Sequence, residues 1–482
     1  MKRLIIYFLF CVNTFFAQSE FQNFISHVNS LSTDLDKSAA VDSFIAYAKT
    51  KGIPFIENNT ANFIYRSNVS RIQLAGDMTG WNPHPRDFSK LAGTNFFYFS
   101  ADYEKNARLD YKFIINSSNW ILDPENPHRV NGGFGPNSEL AMPDYIQPWE
   151  INYKNNIQHG QIVALTFPSK IMNKNYSVKI YLPPSYSISN KNYPTVYFQD
   201  GSEYILLGSA VNVIDNLIDS NKIEEVIAVF VTPTNRQLEY AEGNRYSFAK
   251  FFAEELTPYI DSLYRTEKNK YHRLIIGDSW GGNISALISW LYPELFAKCG
   301  LHSSAFWPNN YEVYNMIVGG QKKDISYFSV YGTYESLLEN MRNFDTLLKS
   351  KGYDIQSFEY PEGHSWGLWR ANIDCILEYF FPKITSLERE KSLPTGFNLY
   401  QNYPNPFNPT TKINYSIDKP SFVKIKIYNS LGEEVETLVD NFHAAGFYSK
   451  DFKFGTDLSS GVYFYRMIVE NFSQTKKMIV LQ

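Results

Sequence analysis

Three side chains stand out by type and setting: Ser279, Glu335 and His364. Ser279 sits in Leu274-Ile-Ile-Gly277-Asp278-Ser279-Trp280-Gly281-Gly282, a G-x-S-x-G run directly after an apolar stretch and directly before a helical one. A serine on a strained strand-to-helix turn presents its hydroxyl at the carboxyl edge of a sheet, and side chains at the flanking glycine positions would clash there. The N-terminus of the following helix favours the oxyanion that forms in acyl transfer. In such an arrangement the acid and the base come later in the chain. His364 lies in Tyr360-Pro-Glu-Gly363-His364-Ser-Trp366, between a strand and a helix, where a general base should sit. His302 precedes any candidate acid strand, and His443 belongs to a separate β-rich stretch. The acid should follow the strand Ser326–Tyr331, which continues Gly332-Thr333-Tyr334-Glu335-Ser336. A carboxylate at Glu335 would fix the imidazole tautomer and stabilise the imidazolium. Glu339 and Asp324 are the alternates, and Glu335 could instead simply favour the first turn of the next helix. For the oxyanion, the donors expected are the N–H of Trp280 and one within Gly201–Ser202, in the turn after Val196-Tyr-Phe-Gln199-Asp200. Trp280, Trp307 and Trp366 are candidates for an acyl pocket, with ordinary packing as the alternative.

These residues need a sheet to hold them. From Gln161 to Pro382 apolar strands alternate with helical segments, which predicts a mostly parallel sheet with helices on both faces. The expected strands are Ser177–Tyr181, Thr195–Phe198, Val226–Val231, Arg273–Ile276, Lys298–His302, Ser326–Tyr331 and Ile355–Tyr360. The expected helices include Phe248–Tyr264, Asn283–Leu291, Leu337–Lys351 and Trp366–Phe380. On either side the texture changes to short alternating β runs punctuated by Gly, Asn, Asp and Pro, the pattern of small β-sandwiches. The expected organisation is a signal peptide at 1–18, a helical segment at 19–54 (with one pattern over Phe21–Lys51), a β-sandwich at 55–147, an α/β domain at 148–382, a linker at 383–395 and a second β-sandwich at 396–482.

Composition sets the limits. The chain has 482 residues, enough for several domains, and a net charge of −4, which offers no basic footprint for nucleic acid. Lys2 and Arg3 followed by the apolar run Leu4–Phe16 read as a secretory signal, too short for a comfortable membrane span, and no later stretch reads as a membrane span. Of three cysteines only Cys299 and Cys375 lie beyond that signal, so neither a disulfide framework nor a metal site is expected. Aromatic residues make up 17% of the chain, which fits its many strands.

Several of these segments carry a resemblance. Tyr181-Leu-Pro-Pro-Ser-Tyr, Arg236-Gln-Leu-Glu239-Tyr, Phe252-Ala-Glu-Glu255-Leu-Thr-Pro258, the Ser279 turn, Gly332-Thr-Tyr-Glu335 and Gly363-His364-Ser-Trp with Trp369-Arg370 are similar to the esterase family of α/β-hydrolases that includes enterochelin (siderophore) and feruloyl esterases. The resemblance implies an α/β-hydrolase sheet flanked by two small β-sandwich domains, and a serine esterase with Ser279, His364 and Glu335 as its triad. The family acid is often Asp, so Glu335 departs from the usual pattern. Arg236 joins Trp307 and Trp366 as a candidate substrate contact, and no cofactor is implied. Val69–Pro83 with Gly76-Asp77 and Gly80-Trp81-Asn82-Pro83, then Trp120-Ile-Leu-Asp123-Pro124, resembles a glycogen-binding-like, immunoglobulin-type module whose Trp81 and Trp120 could stack on sugars or pack internally. Leu399–Thr411 with Asn405-Pro406-Phe407-Asn408-Pro409, Ile427–Gly432 and Ser460-Gly461-Val-Tyr-Phe resembles a type IX secretion sorting domain. That implies export across a bacterial outer membrane, with the type IX secretion machinery as partner. An extracellular esterase points to acylated polysaccharide, feruloyl or acetyl esters for example, as substrate. A siderophore esterase, a non-catalytic carbohydrate-binding protein and an acyltransferase are the alternatives.

Overall fold

The computed structural model describes residues 19–82, 86–383, 396–443, 446–455 and 459–481, which fall into two compact units divided after Pro382. The expected signal peptide at 1–18, and the expected linker from residue 384 onward, lie outside the described residues.

The first unit opens with two helices, Glu20–Ser30 and Asp34–Lys51, not the single one expected over Phe21–Lys51. Leu31 turns to extended backbone, and Thr33 Oγ1 accepts the Asp36 N–H at 3.1 Å to cap the second helix. Phe21, Ile25, Val28, Val41, Phe44 and Ala48 bury one side of the pair. Nine strands follow: β1 (Phe55–Glu57), β2 (Thr60–Arg66), β3 (Ile72–Gly76), β4 (Ser89–Lys90), β5 (Phe96–Asp102), β6 (Arg108–Ile115), β7 (Asn119–Ile121), β8 (Arg129–Gly132) and β9 (Gly135–Ala141). They form two antiparallel sheets, ordered β1-β2-β5-β4 and β3-β6-β9-β8, with β7 paired to β6. Phe63, Leu74, Phe97, Leu109, Tyr111, Phe113 and Leu140 fill the space between them. The helices lean on the outer face of the first sheet through Ile64 and Phe96.

The second set is β10 (Gln161–Ser169), β11 (Lys174–Leu182), β12 (Thr195–Phe198), β13 (Ile227–Thr232), β14 (Arg273–Asp278), β15 (Lys298–His302), β16 (Ser326–Gly332) and β17 (Asp354–Tyr360). One eight-stranded sheet runs β10-β11-β13-β12-β14-β15-β16-β17. β11 pairs antiparallel with both β10 and β13, and every later pairing is parallel. Helices cover both faces, so Leu274, Ile275 and Ile276 of β14 are all fully buried. Because β14, β15, β16 and β17 are parallel neighbours, the turns after β14, β16 and β17 all leave the same carboxyl edge, where α/β sheets place ligands. The helix expected over Trp366–Phe380 is two, Trp366–Arg370 and Ile373–Phe380. That expected over Phe248–Tyr264 contains a π segment, Phe252–Leu256, just before Pro258, which has no N–H to give the helical ladder. Gly201–Leu206, Ala210–Asp219 and Pro308–Gly319 are further helices.

The second unit holds β18 (Asn398–Leu399), β19 (Thr410–Ile417), β20 (Ser421–Tyr428), β21 (Glu434–His443), β22 (Gly446–Lys453), β23 (Gly461–Val469) and β24 (Phe472–Val480). Two antiparallel sheets, β18-β19-β22 and β21-β20-β23-β24, close over Ile413, Val423, Ile425, Ile427, Tyr465 and Met467. Among the described residues no helix is long and apolar enough to cross a membrane.

Candidate active site

Ser279 is the single residue between β14 and the helix Trp280–Leu291, and its backbone is strained, with φ 52° and ψ −118°. A non-glycine residue holds such angles only where its surroundings impose them. Here Ser279 N–H donates to the His302 carbonyl at 2.8 Å, and its own carbonyl accepts from Ala305 N–H at 2.9 Å. The glycines make the turn possible. A Cβ on Gly277 would lie 2.2 Å from the Gly281 backbone, which no rotamer change relieves.

Glu335 and His364 meet. Glu335 Oε2 lies 2.6 Å from His364 Nδ1, and Oε1 accepts the Gly332 N–H at 2.9 Å. The carboxylate is fully buried while the imidazole is 34% exposed. With Nδ1 donating to Glu335, Nε2 is the acceptor nitrogen. The alternates are occupied elsewhere: Glu339 pairs with Arg342, and Asp324 pairs with Lys270 and Tyr271. His302 is fully buried with Nδ1 on the Tyr204 hydroxyl at 2.9 Å, and burial pushes its pKa down to about 3.

The turn after β12 begins at Asp200, another residue with positive φ, 52°. Gly201 is pressed against the Phe230–Val231 backbone, and Ser202 N–H donates to Thr232 Oγ1 at 3.2 Å. Trp280 is the first residue of its helix, so its N–H has no partner within the helix. Arg236 joins the two turns. Its Nε is 2.9 Å from both oxygens of Asp200, and its Nη2 donates to Asp200 Oδ2 at 2.8 Å and to the Asp278 carbonyl at 3.1 Å. Burial pushes the Asp200 carboxyl up from its ordinary value, and Arg236 opposes that. Arg236 therefore reaches the cavity wall, but most of its guanidinium is committed to holding the turns on either side of Ser279.

Ser279, Glu335 and His364 share one cavity of about 760 Å³. Its other wall comes from the N-terminal module: Trp81, Lys112, Trp120, Phe134 and Asn137. Trp120 and Phe134 are exposed, and the Trp81 indole is anchored by a 3.0 Å bond to Asp77 Oδ1. Trp366 lines the cavity but is only 3% exposed, packed on Tyr204 and Trp369. Trp307 does not line it and stands edge-on to Trp280, ring centres 5.8 Å apart. The signal for Phe134 in the sequence is a single large apolar residue set among three glycines, Gly132-Gly133-Phe134-Gly135.

Known proteins resemble both units of the chain. Residues 169–380 match the family described as "Putative esterase", and residues 401–481 match a secretion system C-terminal sorting domain. An uncharacterised Bacillus subtilis protein, YjcH, is 28% identical over 240 residues, which cover 46% of this chain and 98% of YjcH. An endo-1,4-beta-xylanase/feruloyl esterase of Xylanibacter ruminicola is 31% identical over 276 residues, 54% of this chain but only 37% of that longer protein. Among solved structures, the ferric enterobactin esterase of Salmonella typhimurium superposes with a TM-score of 0.59 at 17% identity, covering 67% of this chain and 93% of its own. The enterobactin esterase of Shigella flexneri gives 0.57 at 18% identity, covering 67% and 92%. At these identities the structures establish the fold. The chain thus carries an esterase-family domain and a type IX sorting domain, and it is a carboxylic ester hydrolase secreted to the cell surface or beyond.

Proposed function

We propose that this chain is a serine carboxylesterase that removes acyl groups, of the feruloyl or acetyl type, from carbohydrate. The observation that carries the proposal is the 2.6 Å contact between His364 and Glu335 on the cavity that also exposes the strained Ser279 turn. Ser279 Oγ attacks the ester carbonyl carbon while His364 Nε2 takes its proton. The tetrahedral oxyanion is held by the Trp280 N–H at the helix start and by an N–H of the Gly201–Ser202 turn. Ser202 gives up its 3.2 Å bond to Thr232 if it is the second donor. The C–O bond to the alcohol breaks, and His364 returns the proton to the departing oxygen. Water, deprotonated by His364, then attacks the acyl carbonyl; the acyl–Oγ bond breaks, the acid leaves, and His364 returns the proton to Ser279 Oγ.

A ring-bearing substrate is favoured by Trp81, Trp120 and Phe134, which line the same cavity. Apolar ring faces of sugars and phenolic acids both pack on such side chains. The relative whose name includes feruloyl esterase is consistent with that choice. Hydrolysis of p-nitrophenyl acetate and methyl ferulate by the wild-type chain and by Ser279→Ala is the test. The expected loss is about 10³-fold or more in kcat. Equal rates in both proteins would refute the nucleophile, and turnover of p-nitrophenyl acetate with none of methyl ferulate would point to the acetyl type.

A further inference from the structure

Arg108 heads the largest fully buried side chains among the described residues. It begins β6 of the N-terminal module, yet its guanidinium serves both domains. Nε donates to Glu139 Oε2 at 2.9 Å and Nη2 to Asp110 Oδ1 at 2.5 Å, both within the module. Nη1 crosses to Ser365 Oγ at 3.1 Å, with Glu362 Oε2 at 3.9 Å. Its backbone N–H also crosses, to the Pro361 carbonyl at 3.1 Å.

Asp77 sits beside it in the module. Its Oδ2 accepts the Asp110 N–H at 2.7 Å and its Oδ1 accepts the Trp81 indole. The carboxylate lies against Gly363: a Cβ there would be 2.0 Å from Asp77 Cγ. A Cβ on Gly367 would likewise be 1.8 Å from Arg108 Nη1. Gly363 in the hydrolase loop and Gly367 in the helix that follows are thus the openings that admit two module side chains. His364 lies between them, preceded by a residue that Asp77 touches and followed by one that Arg108 bonds.

We infer that Arg108, seconded by Asp77, is a positioning residue for the base: the module sets the loop Pro361–Trp366 and so aims His364 at Ser279. The inference rests on the reading of His364 as general base. A buried, multiply bonded guanidinium suits the task because its planar fork fixes direction as well as distance. A change of about 1 Å in a catalytic group costs on the order of 10²-fold in rate. The module is then a working part of the catalytic centre as well as a wall of its cavity.

The test uses the full chain with two variants, Arg108→Lys, which keeps the charge and loses the fork, and Ser365→Ala, which removes only the guanidinium's hydrogen bond across the interface. For each, kcat and KM on p-nitrophenyl acetate are measured from pH 5 to 9 beside a thermal melt. Arg108→Lys is expected to lower kcat about tenfold or more with KM changed less than about twofold, and to move the acidic limb of the kcat profile. Ser365→Ala is expected to show the same pattern more weakly. A folded Arg108→Lys with wild-type kcat and pH profile would overturn the inference. If Arg108→Lys does not fold, a Ser365→Ala enzyme with wild-type kcat and profile overturns it instead. Activity that survives Ser279→Ala in the otherwise wild-type chain marks a different failure, that of the serine-esterase reading itself.

Discussion

Glu335 leaves the His364 imidazole little freedom. One carboxylate oxygen is held by the Gly332 N–H and the other by His364 Nδ1, with no exposure to water. A neutral amide of the same shape cannot stabilise the imidazolium that forms when the serine is deprotonated, and its NH₂ group favours the wrong tautomer. Glu335→Gln is therefore expected to fold normally and to lower kcat on p-nitrophenyl acetate by about 10²–10⁴-fold. A near-wild-type rate would assign the acid elsewhere. The sequence placed Ser279 and His364 by local signals: glycines around a strand-to-helix turn, and a histidine in the loop after a later strand. It favours Glu335 but keeps Glu339 and Asp324 as alternates, since all three lie near the ends of β16. Only the fold shows that Arg342 and Lys270 occupy the other two. The resemblance offers Arg236 as a candidate substrate contact, whereas most of its guanidinium is bonded to Asp200 and the Asp278 carbonyl. Its commitment to Asp200 depends on a turn 36 residues earlier.

At the scale of elements, β14, the Ser279 turn and the following helix form one rigid unit. The helix returns so close to the strand that Gly277 faces the Gly281 backbone. Gly277→Ala adds one methyl group where the obstacle is main chain, and overpacking of this kind costs about 1–3 kcal/mol. We expect a lower midpoint in urea unfolding together with a lower kcat. An unchanged midpoint would mean that the turn is looser than its geometry implies. The parallel strands were legible because both faces are buried, which turns Leu274-Ile275-Ile276 and Val226–Val231 into continuous apolar runs. The breaks in helices were less so. Between Ser30 and Asp34 there is neither Gly nor Pro, so the apolar periodicity ran on through a boundary marked only by Thr33 and its bond to Asp36. The helices Gly201–Leu206 and Ala210–Asp219 were missed because each is short and begins without a side-chain cap.

At the scale of the whole molecule, the junction between the module and the hydrolase was invisible in the sequence, because Arg108 and Ser365 are 257 residues apart. It also gives the first unit a pH response. Burial pushes the Glu362 carboxyl up to about 8, with Arg108 opposing, and its Oε2 has no hydrogen-bond partner. The folded chain thus keeps a proton that the unfolded chain releases near pH ~4.3. The stability from this group is complete below that pH and is lost as pH rises toward 8. His302 has the opposite sign: with its pKa lowered to about 3, it costs stability only as pH falls below about 6.5. Between pH 6.5 and 8 the slope is shared by raised carboxyls such as Glu362 and by His159, whose pKa is raised by its bond to Asp215. Calorimetric melts of the wild-type chain should fall in Tm across that window, and Glu362→Gln should flatten the fall; parallel curves would refute the assignment. The hairpin joining β8 to β9 has a further consequence. Its tip, Gly132 to Gly135, carries exposed Phe134 onto the cavity that Ser279, Glu335 and His364 also line. On the proposed function, chemistry and selectivity reside on separate stretches of chain. A laboratory library confined to that hairpin could alter substrate preference without touching the sheet that holds Ser279, and natural drift in the same few residues could diversify the enzyme at little risk to its folding.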